Sequence, residues 1–260
     1  MPSEILIIVP TLGDRPDYLE QTLKSIRSQG VPVDIVLVAP LNNTLVELLV
    51  DRYGCDFLPD PGSLPEAINL GAERAGPTHR FINWIGDDDI LTKGSLEVTV
   101  GALKNHSDAV VAYGACEYID ALGEVLWVSR AGKWAQHILS WGPDLIPQPG
   151  MLVRKDAWRE VRGVDATLRF AFDLDLLLKL KRVGSFVDVG SVVSQFRWHP
   201  ESLTVSDRTS SLNESEKVKR RYLSSTARKC SWLWEKPVRG ATRVAARGVT
   251  RRANRISSAR

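Results

Sequence analysis

The chain has 260 residues, 43% of them hydrophobic and 25% charged, a balance that fits a folded globular protein and argues against wholesale disorder. The net charge of +3 conceals a split: residues 217–260 carry 14 Lys and Arg against the single Glu235, whereas the preceding 216 residues carry 20 basic and 30 acidic side chains. The longest aliphatic run near the start, Ile5–Val9, is far too short to span a bilayer or to form a signal-peptide core, and Cys55, Cys116 and Cys230 form no C-x-x-C pair, so neither a disulfide framework nor a cysteine zinc site is expected and a cytoplasmic setting fits.

Residues 4–10 are rich in β-branched side chains and end at Pro10, which predicts a buried strand. Asp14 is placed to cap a following helix, with Pro16 in its first turn and Leu19, Leu23 and Ile26 at helical spacing up to Gly30. A second buried strand is expected over Val33–Val38, a helix over Thr44–Tyr53 and a short strand over Cys55–Leu58. Ser63 and Glu66 form a capping box for a helix running to Ala75. His79–Ile85 reads as a fourth strand. Strands apolar on both faces and alternating with helices specify a largely parallel sheet covered by helices. In such sheets ligands bind at the strands' carboxyl ends, here Pro10–Gly13, Ala39–Leu41 and Gly86–Asp89. Further on, a strand over Ala109–Tyr113, a hairpin over Glu117–Val128, a short helix over Trp134–Trp141, a helix over Phe172–Val183 and a strand over Phe186–Val193 are expected. No internal repeat is visible.

Asp87-Asp88-Asp89 follows an apolar strand directly. Three adjacent carboxylates repel one another unless solvated or neutralised by a cation, and they offer hard oxygen ligands to Mg²⁺ or Mn²⁺, which can hold a diphosphate. The other reading is an acidic loop capping a helix that begins near Lys93. An EF-hand is excluded, because Leu91 and Thr92 stand where further ligands and a glycine are required. Asp173 and Asp175, at a helix start, point to different faces. The helix dipole alone accounts for both, while burial beside Phe170 and Phe172 would suit one of them as a general base. His199, after an apolar strand, reads either as a hydrogen-bonding residue or as a ligand. Gly13 and Gly62 each precede a helix and permit close approach of backbone to phosphate or sugar.

Several segments in order carry a wider resemblance: Pro10-Thr11 with Arg15-Pro16; Ala67-x-Asn69-x-Gly71; Asp87-Asp88-Asp89; Gln148-Pro149-Gly150; Gly163-Val164-Asp165; Asp173-Leu174-Asp175; and Arg197-x-His199. Together, over about residues 4–205, they resemble the inverting family 2 glycosyltransferases. The resemblance implies a GT-A, Rossmann-like α/β fold over residues 1–205, a nucleotide-diphosphate-sugar donor, a divalent Mn or Mg ion and a hexosyl transfer to a saccharide or lipid-linked acceptor in cell-surface polysaccharide or glycolipid synthesis. It places Pro10, Thr11, Leu12, Arg15, Gly62, Asn69, Asp87 and Asp88 at the nucleotide-sugar, and Asp88, Asp89 and His199 at the metal. Asp173 falls at the catalytic base, and Trp134, Gln148 and Gly150 at the acceptor. The chain departs from the family pattern at Ala39-Pro40, where paired aspartates are usual, at Gly86, where many members have the motif's first acid, and at Phe172, where an acid often precedes the base. The rival reading is a non-catalytic nucleotide-sugar-binding scaffold. A nucleotidyltransferase would want a basic glycine-rich loop, and Gly13-Asp14-Arg15 is too meagre.

Residues 206–260 are expected to form a basic helical extension. Arg239, Arg243, Arg247, Arg251 and Arg255 recur every four residues after Trp232-Leu233-Trp234, a pattern suited to peripheral binding at the inner, anionic face of a membrane; the other reading is a solvated, partly disordered tail. No recognition motif for nucleic acid accompanies it.

Overall fold

The computed structural model describes residues 2–130, 132–198 and 207–258. At its centre lies β1 (Ile5–Pro10), every residue of which is buried. It runs parallel to β2 (Val33–Ala39) on one side and β4 (Phe81–Trp84) on the other, and β3 (Asp56–Pro59) extends the parallel edge beyond β2. Helices α1 (Pro16–Arg27), α2 (Thr44–Tyr53) and α3 (Leu64–Ala72) make the crossovers. Period-two alternation splits the strands between two cores. Ile5, Ile7 and Val9 face one apolar cluster with Leu19, Leu23 and Ile26 of α1, and Leu6 and Ile8 face another with Ile68 of α3. Helix α3 presses on β1 at Gly71, where a Cβ would come within 2.5 Å of Ile8; only glycine allows that approach.

The sheet then changes direction. After β5 (Ile90–Leu91) and α4 (Ser95–Asn105), β6 (Ala109–Ile119) joins through the three-residue β8 (Leu152–Arg154), which is antiparallel to both β4 and β6. Strand β7 (Val125–Ser129) forms a hairpin on β6, and β9 (Ser185–Arg197) lies parallel to β6 and antiparallel to β5. The order across the described sheet is β3-β2-β1-β4-β8-β6-β9-β5. The short α5 (Ala135–Ile138), α6 (Lys155–Glu160) and α7 (Phe172–Leu180) complete the body. Helices α8 (Arg208–Tyr222), α9 (Ser225–Lys229) and α10 (Trp232–Ser258) follow.

Two local expectations are corrected. Helix α1 is entered through Arg15, with no side-chain cap, so Asp14 does not cap it. The helix expected over Trp134–Trp141 is the four-residue α5. Ser63 caps α3, its Oγ accepting Glu66 N–H at 3.4 Å, but the reciprocal half of a capping box differs: Glu66 Oε2 accepts the Ser63 hydroxyl at 2.7 Å and not the Ser63 backbone N–H.

Candidate active site

Strands β1 and β4 run in register with Ile8 opposite Trp84. Three residues beyond each lie Thr11 and Asp87, so the parallel register carries both to the same end of the sheet. The Thr11 hydroxyl donates to Asp87 Oδ2 at 2.5 Å and accepts from Gly13 N–H at 2.9 Å. At the entry to α1, the Arg15 guanidinium spans both neighbouring carboxylates, with Nη2 2.9 Å from Asp87 Oδ1 and Nη1 2.8 Å from Asp88 Oδ2. Planar, forked donors suit such a pair. Burial pushes the Asp87 carboxyl above its usual range, opposed by the Thr11 hydroxyl and the Arg15 charge.

Asp89 stands differently. Its carboxyl is buried, Oδ1 accepts Arg197 N–H at 3.1 Å, and its backbone oxygen accepts the Thr22 hydroxyl at 2.7 Å. Burial, and then the Asp88 charge, hold its proton affinity well above normal. The Arg197 side chain, 1% exposed, braces this loop from behind. Its Nε donates to Asp88 O at 3.0 Å, Nη1 to Asp120 O and Ala121 O at 3.2 Å, and Nη2 to Gln21 Oε1 at 2.9 Å. The guanidinium carbon lies 4.2 Å from the centre of the Tyr18 ring. One buried cation thus ties α1, the acidic loop and the β6–β7 turn together.

A second carboxyl is linked to the same strand end. The Trp84 ring lies 6.2 Å from Phe172, and its backbone oxygen accepts Gln148 Nε2–H at 2.7 Å. Asp173 follows Phe172 in the first turn of α7. Its Oδ1 accepts Leu174 N–H at 2.7 Å. Burial pushes its carboxyl up to about 6, against that N–H bond and with the added repulsion of Glu214. It lines a cavity of about 200 Å³ with Trp141, Asp144 and Phe170 of the body and Lys219, Trp234 and Arg239 of α8 and α10. Asp144, exposed in the loop before β8, accepts Ile146 N–H at 3.1 Å and lines the same cavity. Asp175, on the opposite face, is spent structurally: Tyr222 Oη donates to it at 2.7 Å and Lys179 pairs with it at 3.2 Å.

The structure therefore gathers Thr11, Arg15, Asp87 and Asp88 at the end of the central strands and fastens Gln148 and the Asp173 turn to the neighbouring Trp84. Gly150 packs on Ser194, whose hydroxyl donates to Pro149 O at 2.5 Å. Leu12 is exposed beside this cluster. Asn69 exchanges two hydrogen bonds with the backbone of Val164, at 2.9 and 3.0 Å. Gly62 lies in an exposed turn where its N–H donates to Asp60. Trp134 is 71% exposed, with its ring 5.8 Å from His137. His199 lies outside the described residues. Sequence reasoning passed over Asp144, Glu214 and the bracing role of Arg197, because no spacing signal connects residues brought together by the crossover of distant strands and helices.

No cluster of three or more His, Cys, Asp or Glu able to hold a metal occurs among the described residues. The donor set at Asp87 and Asp88 fits the mode in which a hard cation takes one or two carboxylates and completes its shell with phosphate oxygens and water. Asp88, with 16% of its side chain exposed, is the more accessible of the two.

No family model matches the chain. Two curated relatives, described as uncharacterized glycosyltransferases of Rickettsia typhi and Rickettsia prowazekii, are each 23% identical over 211 residues, which is 77% of this chain and 65% of theirs. The chain thus spans just under two thirds of their length. Among solved structures, Staphylococcus aureus TarS 1–349 matches with a TM-score of 0.61 at 15% identity, over 85% of this chain and 69% of that one. A mannosyltransferase of Pyrobaculum calidifontis, solved with GDP-Man and Mn²⁺, matches with a TM-score of 0.63 at 13% identity, over 95% and 75%. These likenesses show the fold: a curled α/β sheet flanked by helices, of the GT-A-like kind.

Proposed function

We propose that the chain is an inverting glycosyltransferase of the family 2 type, which moves a hexosyl group from a nucleotide-diphosphate-sugar to an acceptor hydroxyl. The observation that carries this is the Arg15-bound Asp87–Asp88 loop at the carboxyl ends of β1 and β4, with the turn that bears the half-buried Asp173 packed on Trp84 of β4 through Phe172. An in-line displacement with inversion needs a base on the acceptor hydroxyl and charge stabilisation of the departing diphosphate, with no covalent nucleophile. Asp173 takes the acceptor proton. Arg15 and the Thr11–Gly13 turn receive the nucleotide side, with Leu12 covering it. A Mn or Mg ion held through Asp88, with Asp87 and Asp89 beside it, would offset the negative charge that builds on the leaving group. The mannosyltransferase neighbour, with its sugar nucleotide and Mn²⁺, supports that donor class. Gln148, Gly150 and the Trp134 segment border the acceptor side.

A thermal-shift panel of nucleotide-sugars, with and without Mn²⁺, tests the binding half of this reading, and donor hydrolysis tests the chemical half. Asp88→Ala should abolish most of the Mn²⁺-dependent rise in melting temperature produced by the best donor. A shift as large in the variant as in the parent protein would remove Asp88 from donor binding. Donor binding with no turnover under any condition would instead make the chain a scaffold.

The acceptor is proposed to be saccharide or lipid-linked, met at an anionic membrane surface through α10. Among the described residues no helix is long and apolar enough to cross a membrane. The first part of α10 is committed to the body: Glu235 pairs with Arg220 at 2.5 Å and Arg239 with Glu216 at 2.9 Å, both partners on α8. Arg243 is exposed, as are Trp232 and Leu233 at the head of the helix, and residues 243–260 are proposed to supply the contact with lipid. Removal of residues 243–260 should abolish co-flotation with anionic vesicles and leave the melting temperature nearly unchanged. Equal flotation of the truncated and full chains would contradict this.

A further inference from the structure

Helix α8 reaches the Asp173 turn directly. Glu214, in its second turn, receives three consecutive backbone N–H groups: Arg169 donates to Oε1 at 3.1 Å, and Phe170 and Ala171 donate to Oε2 at 2.6 and 2.7 Å. These N–H groups lead into α7, where a helix start leaves donors without intrahelical partners, and a carboxylate accepting several of them makes short, charge-assisted bonds. Asp173 lies two residues beyond the last of them. Its position is therefore set from two sides, by Trp84 packed on Phe172 and by Glu214 holding the backbone before it.

We propose that Glu214, supplied by the helical extension, is a positioning residue of the transfer site that holds the Asp173 carboxyl where the acceptor hydroxyl must arrive. The inference rests on the reading of Asp173 as the base. It makes the extension part of the active site, in addition to any role at a membrane. The Glu214 charge also faces Asp173 electrostatically and favours its protonated form. Among the described residues, the charged groups that line the cavity with Asp173 are Asp144, Glu216 and Lys219 of α8, and Glu235 and Arg239 of α10, while Arg169 precedes the turn and Asp175 lies on the same helix. Of these, Glu216 is paired with Arg239, Glu235 with Arg220, and Asp175 with Lys179. Lys219 donates to Gly142 O at 2.5 Å.

Glu214→Ala and Glu214→Gln test the proposal in the full chain. The glutamine retains the shape and one acceptor oxygen but loses the charge. Misplacing a reacting group by about 1 Å costs about 10²-fold, so Glu214→Ala should lower kcat by that order with the donor KM unchanged, and Glu214→Gln should recover part of the loss. Two readouts need no turnover. Carbon-13 NMR should show the Asp173 carboxyl titrating at lower pH in Glu214→Gln, and hydrogen exchange should quicken at the amides of residues 169–171 in Glu214→Ala. Folded variants with an unchanged Asp173 midpoint and unchanged exchange overturn the proposal, whatever their activity. The shifted midpoint in a parent protein that turns over no nucleotide-sugar would support the Glu214 geometry and overturn the transfer reading instead. Should Glu214→Ala fail to fold, Glu214→Gln carries the test by its midpoint and its kcat-to-KM split.

Discussion

Asp173→Asn should lower turnover by about 10²–10⁴-fold, the usual contribution of a general base, while the donor KM stays nearly constant. The substitution is close to isosteric, and the asparagine oxygen can still accept the Leu174 N–H that Asp173 Oδ1 holds at 2.7 Å, so what is lost is the ability to take a proton. In the parent protein the base must be ionised to act. Burial pushes Asp173 up to about 6, so kcat/KM should rise through an acid limb near that value. A stability effect of known sign accompanies this. Because the folded protein binds the Asp173 proton more tightly than the unfolded chain does, with its ordinary value of 3.8, the contribution is fully present below 3.8 and is lost as pH rises through about 6. Above that range the parent protein carries a buried charge that Asp173→Asn lacks, so the variant should melt higher than the parent at pH 8, with the difference disappearing at pH 4. Near-full turnover in Asp173→Asn would remove the residue from the chemistry. A variant melting lower than the parent at pH 8 would contradict the burial argument.

Arg197→Ala should be the most damaging single change to stability. Its guanidinium binds the backbone oxygens of Asp88, Asp120 and Ala121 and the side chain of Gln21, and it covers the face of Tyr18. Truncation removes all of these guanidinium donors at once, although Asp120 O keeps Gly123 N–H and Ala121 O keeps the Tyr18 hydroxyl, and it removes a positive charge that favours the ionised form of buried Asp89. Removing one partner from such a buried network costs about 3–5 kcal/mol. The urea midpoint should fall accordingly with the slope unchanged, and donor binding should fall with it, because the acidic loop loses its brace. Arg197→Lys keeps the charge but not the planar fork and should restore only part of the loss. A midpoint for Arg197→Ala within about 0.5 kcal/mol of the parent, the range of ordinary surface substitutions, would show that the loop is held by other means.

Much of this site is written locally. Asp87-Asp88-Asp89 stands out because carboxylates in series after a buried strand are costly, and Thr11 lies beside it because each follows the end of one of two adjacent parallel strands. Ser63 announces α3 because an N-cap acts within four residues, its Oγ accepting Glu66 N–H. Where the signal is short or contested, the reading fails. Strand β8 has three residues and β5 two, too few for any period to register. At Gly114 the sequence suggests that the strand over Ala109–Tyr113 ends, yet β6 continues to Ile119. The reason lies on another strand: Ser191 O of β9 would collide with any Cβ at that position, so the glycine marks a close approach and not a break. Asp14 was the natural cap for α1 by composition, but the helix is entered through Arg15, whose side chain is turned to Asp87 and Asp88.

What the sequence determined by itself is therefore the α/β alternation, the placing of the acidic loop at a strand's carboxyl end and the residues that belong to single turns or neighbouring strands. Hydrophobic period, caps and charge clusters act over a few residues, and each can be read within its own segment. Only the tertiary structure decided the partners that distance hides. Arg197 reaches the acidic loop across 109 positions, and Glu214 reaches the Asp173 turn across 43 to 45. Those contacts exist because the sheet folds back through β8 and β9 and α8 returns over α7. A buried charge draws its partner from whichever element the packing brings near, and that proximity leaves no trace in local spacing.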